Sequence, residues 1–181
     1  MFDSETCHFR SASSPELELS LKLLEKGFDV EEICKFVGWR GFEEMVEYIL
    51  RHYGYSTFKH FRFGCTGRRY EVDIIALRRP IMLSVECKRW RKSWQASSIR
   101  RVVEAHQVRT WHLSECLADY RSSLAIQGWD HVVLYPVLLM MGETPSRIEK
   151  GIPVVPIHRV RDFLDGFELH LHEFVAYHFH V

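Results

Sequence analysis

The sequence predicts an α/β fold, a mixed sheet sandwiched between helices. Apolar spacing switches between helical and strand periods in the order helix, strand hairpin, helix, strand, strand, helix. The run from Val132 to Met141, VVLYPVLLMM, is nearly continuous apolar, as in a strand buried on both faces. A chain of 181 residues, 46% of them apolar, suffices for one ordinary domain with its own core.

The elements follow in order. Ser14-Pro15-Glu16 opens a helix with a Ser cap, a proline at the first position and acids in the first turn, and Leu19, Leu21, Leu23 and Leu24 carry it to Gly27. A second, short helix starts at the Asp29 cap, runs to about Val37 and ends at Gly38. A third spans about Gly41 to Tyr53, with Phe42, Val46, Ile49 and Leu50 on its apolar side, and stops at Gly54. Closely set helices raise a helix-turn-helix reading, but from Pro15 to Glu47 nine acids stand against four bases, the wrong sign for reading DNA. Tyr55 to Arg62 is an edge strand broken at Gly64 and Gly67. Arg69 to Leu77 and Ile81 to Lys88 form two strands joined at Arg79-Pro80. Proline disfavours a tight two-residue turn, so a four-residue loop is expected there. A long helix begins at the Ser97 cap and reaches about Tyr120. Asp130 to Met141 is the buried strand, with Pro136 requiring a bulge or bend. A short strand at Gly151 to Ile157 and a helix at Val160 to Phe167 close the domain. In the tail, residues 168–181, apolar side chains alternate with His170, His172, His178 and His180, which favours a strand and an interface role over metal ligation.

Charge is distributed unevenly although the formal net charge is zero. Lys88, Arg89, Arg91, Lys92, Arg100 and Arg101 fall in a segment without acids, and so do Lys59, Arg62, Arg68 and Arg69. Such local asymmetry suits a polyanion-binding face, with a solvated charged surface as the plain alternative. Trp90 and Trp94 lie among these bases and could stack on nucleobases or cap the sheet edge. No apolar run reaches the length of a membrane span, and the start lacks the basic and apolar pattern of a secretory signal. The five cysteines, Cys7, Cys34, Cys65, Cys87 and Cys116, are scattered, odd in number and never spaced as CxxC. Neither a disulfide framework nor a zinc ribbon is expected, and the reducing cytoplasm is the expected compartment.

The strand hairpin carries the chemistry. Alternation puts Glu86 and Lys88 on one face, and pairing about Arg79-Pro80 sets Asp73 opposite Glu86 and Glu71 opposite Lys88. Two carboxylates that close repel unless a positive charge lies between them, and a hard divalent cation such as Mg²⁺ fills that place with oxygen ligands. The Lys88 ammonium could orient an attacking water or offset charge in a phosphoryl transition state. Cys87, between them, is expected to pack in the core. An ordinary hairpin with cross-strand charge pairs is the plain alternative.

The neighbourhood adds a resemblance. Gly41-Phe42-Glu43-Glu44-Met45-Val46 leads through Leu50 to Gly54-Tyr55. Val72-Asp73-Ile74-Ile75 follows, then Val85-Glu86-Cys87-Lys88-Arg89-Trp90, then Ile152-Pro153-Val154-Val155-Pro156-Ile157 before a helix. In order and spacing this resembles the PD-(D/E)XK nuclease superfamily, and within it the Mrr-like restriction endonucleases, from about Gly41 to Phe167. The residue before Asp73 is Val where the motif has Pro. The resemblance implies a restriction-endonuclease-like three-layer α-β-α sandwich with a mixed central sheet, preceded by a short helical N-terminal extension. Residues 1–40 would be that extension, 41–167 the nuclease core, and 168–181 a tail that could supply an interface strand.

By the same resemblance, Asp73, Glu86 and the backbone carbonyl of Cys87 would ligate Mg²⁺ or Mn²⁺. Lys88 would be the catalytic base or electrostatic stabiliser. Glu43 would reach the site from the family's first helix, with Glu44 as its rival. Gln107 corresponds to an accessory glutamine of some subfamilies, and His106 could serve similarly. Arg68, Arg69, Arg89, Arg91, Lys92, Arg100 and Arg101 would contact the nucleic acid. The expected activity is metal-dependent endonucleolytic hydrolysis of DNA, duplex or branched. The alternative is a catalytically silent nucleic-acid-binding module of the same fold. No membrane is expected as a partner, and the His-rich tail leaves a homodimer open.

Overall fold

The computed structural model of the chain describes residues 19, 20, 22, 23, 26–28, 30–89, 96–144 and 147–180. The first predicted helix falls mainly outside them. Helix α1 (Val30–His52) joins the second and third predicted helices end to end across a kink at Gly38, whose φ of 72° suits a residue without a Cβ. After it come β1 (Ser56–Cys65), β2 (Arg68–Arg78), β3 (Ile81–Lys88) and α2 (Ala96–Glu115). Then follow β4 (His131–Met140), β5 (Ile148–Glu149), β6 (Ile152–Pro156), α3 (Val160–Gly166) and β7 (Tyr177–His180).

Among the described residues these make one mixed seven-stranded sheet in the order β1-β2-β3-β4-β6-β5, with β7 also paired to β4. The β1–β2–β3 part is antiparallel, whereas β3, β4 and β6 run parallel. Helices cover both faces, giving the predicted three layers. On one face Phe42, Met45 and Leu50 of α1, with Phe167 after α3, pack against Ile74, Leu83 and Val85. On the other, Leu113 of α2 joins Val72, Ile75 and Met82, while Ile99 and Val103 meet Leu138 and Ile152. Each of these large side chains is withdrawn from water, worth about 1.5–3 kcal/mol apiece in transfer terms, which fixes the helices that frame the site.

Several sequence expectations need correction. β1 runs on through Gly64 to Cys65 rather than breaking there. Arg78 pairs with Ile81, so the hairpin turn is Arg79-Pro80 alone and not a four-residue loop. The Arg79–Pro80 peptide is cis, which seats proline at the third position of a tight turn, a place a trans proline does not fit. The register itself is the predicted one, with Ile74 opposite Val85. Pro136 causes no bulge, because the β3–β4 ladder runs unbroken from Ile81–Val133 to Lys88–Met140. On its other side β4 pairs with β7 over His131–Leu134 and with β6 over Leu138–Met140. Pro136 lies in the gap between those partners, where its missing N–H costs no ladder bond.

Cys65 and Cys116 form a disulfide across 51 residues, tying the end of β1 to the end of α2, against the expectation of unpaired thiols. The spacing of the cysteines carries no local sign of this. The tail does form a strand, but β7 adds to β4 of its own chain, with His178 and His180 exposed. Among the described residues no helix is long and apolar enough to cross a membrane.

Candidate functional site

The β2–β3 ladder ends at Ile74–Val85, one step short of Asp73 and Glu86. Beyond that point β2 continues beside β1 and β3 continues beside β4. The two strands therefore part where the acidic pair begins. β1 and β2 are irregular at the same level: the position where His60 would pair with Asp73 is missing from an otherwise continuous register, and His60 has a φ of 50°. Phe61, Phe63, Tyr70 and Val72 pack on the α2 side, but so do Phe58, Ile75 and Leu77, so both strands change parity across this step. Asp73 is released from the regular alternation. Its Oδ2 accepts a hydrogen bond from the Cys87 N–H at 2.8 Å.

Glu86 is nearly fully buried, between Val85 and Cys87, which pack on the α1 side. Its carboxylate turns toward α2. Oε1 lies 2.5 Å from the Lys88 ammonium, and Oε2 lies 2.9 Å from Arg109 Nη2 and 3.7 Å from His106 Nδ1. The Arg109 approach is a charge contact rather than an aligned hydrogen bond, since Oε2 has no hydrogen-bond partner. His106 is fully buried and its Nε2 sits 2.8 Å from the Ser84 carbonyl. A carbonyl only accepts, so in the neutral ring Nε2 carries the hydrogen and Nδ1 presents a lone pair toward Glu86. Thr110 Oγ1 meets Ser84 Oγ at 3.0 Å and completes the polar lining under the sheet.

The electrostatics follow from these contacts. Burial, then repulsion from Glu86, holds Asp73 above its ordinary carboxylate range against the Cys87 N–H bond. Burial is also the largest influence on Glu86 and pushes it up, but His106, Arg109 and Lys88 together outweigh it and the net direction is down. His106 is pushed down to about 4, chiefly by burial, and is uncharged at neutral pH. The lowering of Glu86 near neutrality therefore rests on Arg109 and Lys88. Glu43, on the buried face of α1, is raised by burial and then by the charge of Asp73, which brings it into the same field. Glu44, its rival, is half-buried. Burial keeps the Cys87 thiol far above its ordinary value, so it is an inert core group.

Asp73, Glu86, Lys88 and Glu43 thus share one electrostatic field. Other assignments change. Glu71 does not face Lys88: it pairs with Arg62 at 2.7 Å and with His60 at 3.4 Å, and His60 reaches Glu43 at 3.5 Å. Gln107 bonds the Tyr177 hydroxyl of β7, away from the acidic pair. His106 and Arg109 take the place expected of it. Arg109 was missed, although the buried series Ile99, Val103, His106, Thr110, Leu113 marks the face of α2 that it adjoins. Of the bases, Arg91 and Lys92 lie outside the described residues, as do Trp90 and Trp94. Arg100 pairs with Glu149 at 3.1 Å. Arg68, Arg69 and Arg101 are exposed, and the Arg89 guanidinium would lie 3.6 Å from a Cβ at Gly38.

The donor set suits a hard cation of low protein coordination. Two carboxylates whose charges repel are oxygen donors of the kind Mg²⁺ takes together with substrate phosphate and water, and Glu86 Oε2 faces Arg109 on the far side. Among the described residues no three His, Cys, Asp or Glu side chains form a cage, so the site lacks the closed set of a structural metal centre.

The family model described as restriction endonuclease, the Mrr catalytic domain, matches residues 35–112. The resemblance read from the sequence is borne out over that segment, which contains most of α1, all of β1 to β3 and most of α2. An uncharacterized protein from Archaeoglobus fulgidus is 29% identical over 137 residues, 75% of this chain and 96% of its own. A crystal structure of a protein of unknown function aligns with 54% of this chain at 15% identity and a TM-score of 0.40; this chain spans 44% of its length.

Proposed function

We propose that the chain is a divalent-metal-dependent endonuclease that hydrolyses phosphodiester bonds of DNA. The observation that carries this reading is the parting of β2 and β3 at Asp73 and Glu86, with Lys88 two residues on and Glu43 beside them, within a segment matched by a restriction endonuclease model. In this reading Asp73, Glu86 and the Cys87 carbonyl hold Mg²⁺ or Mn²⁺, which supplies Lewis-acid charge to the scissile phosphate. The Lys88 ammonium orients the attacking water and offsets developing charge. Arg109 holds the Glu86 carboxylate in place from beneath, and the buried His106 packs beside it. Arg68, Arg89 and Arg101 contact phosphates of the duplex, and Arg91 and Lys92 extend the same basic segment in sequence.

A second reading has one observation in its favour. Glu86 is already neutralised by Lys88 and Arg109, an arrangement a silent DNA-binding module could keep. Incubation of supercoiled and branched DNA with and without Mn²⁺, with Asp73→Ala as control, separates the two. Metal-dependent cutting that disappears in Asp73→Ala supports the nuclease; binding without cutting in the presence of Mn²⁺ supports the module.

A further inference from the structure

A second feature lies on the same strands, beyond the catalytic candidates. Between the β1–β2 hairpin and the turn that follows α2 is a cleft of about 590 Å³. That falls within the roughly 300–1,000 Å³ usual for small-molecule sites and is far larger than a single phosphate needs. One wall is aromatic: Phe63 is buried beneath it, the half-buried rings of Tyr70 and Tyr120 supply its accessible surface, and Arg62 and Arg69 also line the cleft. Glu71 lines it too, but its charge is spent on Arg62 at 2.7 Å. The Arg69 guanidinium is exposed and has no ion pair or hydrogen bond among the described residues.

The walls are held rigidly. The Tyr120 hydroxyl accepts from the Gly64 N–H at 2.7 Å and donates to the Gly64 carbonyl at 3.2 Å. The Cys65–Cys116 disulfide pins the same two elements together. Tyr70 stacks on Phe63 at 5.2 Å and on His112 at 4.7 Å between centroids. A cleft fixed before binding pays little ordering cost when it is filled.

We propose that this cleft binds one unpaired nucleotide unit, its base against the aromatic wall and its phosphate on Arg69. Flat rings beside a guanidinium without a partner match a base and its phosphate together, whereas a paired base inside a duplex offers no free face. Glu71 links the cleft to the acidic cluster through His60 and Glu43. On the nuclease reading, on which this part rests, a strand seated in the cleft runs on past Asp73, and the substrate class is DNA with an unpaired end, gap or branch.

The test is fluorescence anisotropy on the full chain in EDTA, where cleavage cannot occur. Blunt duplex is compared with the same duplex carrying a short single-stranded overhang, and deoxyadenosine monophosphate is the competitor. The overhang should bind about tenfold tighter, the order of one base stacked on an aromatic wall. The double variant Arg62→Ala, Arg69→Ala should lose that preference at an unchanged melting temperature. Displacement by the mononucleotide at far lower concentration than by the overhang would assign the same nucleotide site to a free nucleotide. Equal binding of both duplexes by the wild type without displacement overturns the proposal, as does uniform weakening of both by the double variant. Cleavage with Mn²⁺ is scored separately: preference without cleavage refutes the nuclease and leaves the cleft, and cleavage without preference does the reverse.

Discussion

Arg109→Met removes the guanidinium beside Glu86 and keeps a side chain of similar reach on α2. The Glu86 side chain is 3% exposed and Arg109 26% exposed, with 2.9 Å between their charged atoms. Breaking a fully buried pair costs about 3–5 kcal/mol because the remaining charge is left desolvated. Arg109 is a quarter exposed and Lys88 still touches the carboxylate, so about 2 kcal/mol is expected near neutral pH. For a chain of this size that is a fall of about 4–8 °C in Tm. The sign with pH follows from the direction of the shift. Glu86 lies below its ordinary value of 4.5, so its ion pairs stabilise the fold above that value, and the gain is lost as pH falls through the lowered one. In the variant burial gains ground and the carboxylate moves up. The deficit should therefore be full near neutral pH and smaller at an acidic pH below 4.5, where the stabilisation is being lost as the carboxylate takes up its proton. Thermal melts by circular dichroism of wild type and variant in EDTA at both pH values measure it. An unchanged Tm near neutral pH, or an equal fall at both, would refute the assignment of Arg109 as the counter-charge of Glu86.

Asp73→Asn should leave the metal-free protein as stable or slightly more stable near neutral pH, since burial and Glu86 hold Asp73 above its ordinary value and ionising it costs stability as pH rises; Glu86→Gln should instead destabilise, because it strands Arg109 and Lys88. Urea unfolding of the two variants reads the contrast. Paired Cys65→Ser and Cys116→Ser substitutions should cost up to about 4 kcal/mol, the loop-entropy value for a separation of 51, and a reductant should do the same to the wild type. No effect of reductant on urea unfolding would mean the thiols are not joined. Replacing Arg68 and Arg101 by Ala should make the log-log salt dependence of DNA binding shallower by about one unit for each phosphate left unneutralised, whereas Arg100→Ala should change it less because Glu149 already holds that side chain.

How much of this was legible in the sequence varies with how local its cause is. The hairpin register could be read because alternation and the turn residues fix it within a few positions, as Ile74 opposite Val85 confirms. The resemblance put Glu43 before Glu44 by its spacing to Val46, Leu50 and Gly54, and Glu43 is the more buried of the two. What failed depends on partners distant in sequence. Pro136 needs no bulge only because β7 and β6 meet β4 on either side of it. The Cys65–Cys116 bond closes a long loop with no local pattern. Gln107 and His106, both offered by the sequence, differ by one position on α2, about 100° of rotation, and only the packing tells which of them turns toward Glu86. The shared parity change at His60 and Asp73 leaves the register intact and so leaves no trace in a pattern argument.

The most direct test of the metal centre is a Mn²⁺ binding isotherm by calorimetry on the wild type, Asp73→Asn, Glu86→Gln and Lys88→Ala under one buffer condition. The account predicts saturable binding by the wild type and by Lys88→Ala. It predicts at least about tenfold weaker binding when either carboxylate is made neutral, since losing even an outer-shell partner typically costs about 10–100-fold in metal affinity. Equal isotherms for the wild type and Asp73→Asn would contradict it, because the carboxylates at the parting of β2 and β3 would then hold no cation.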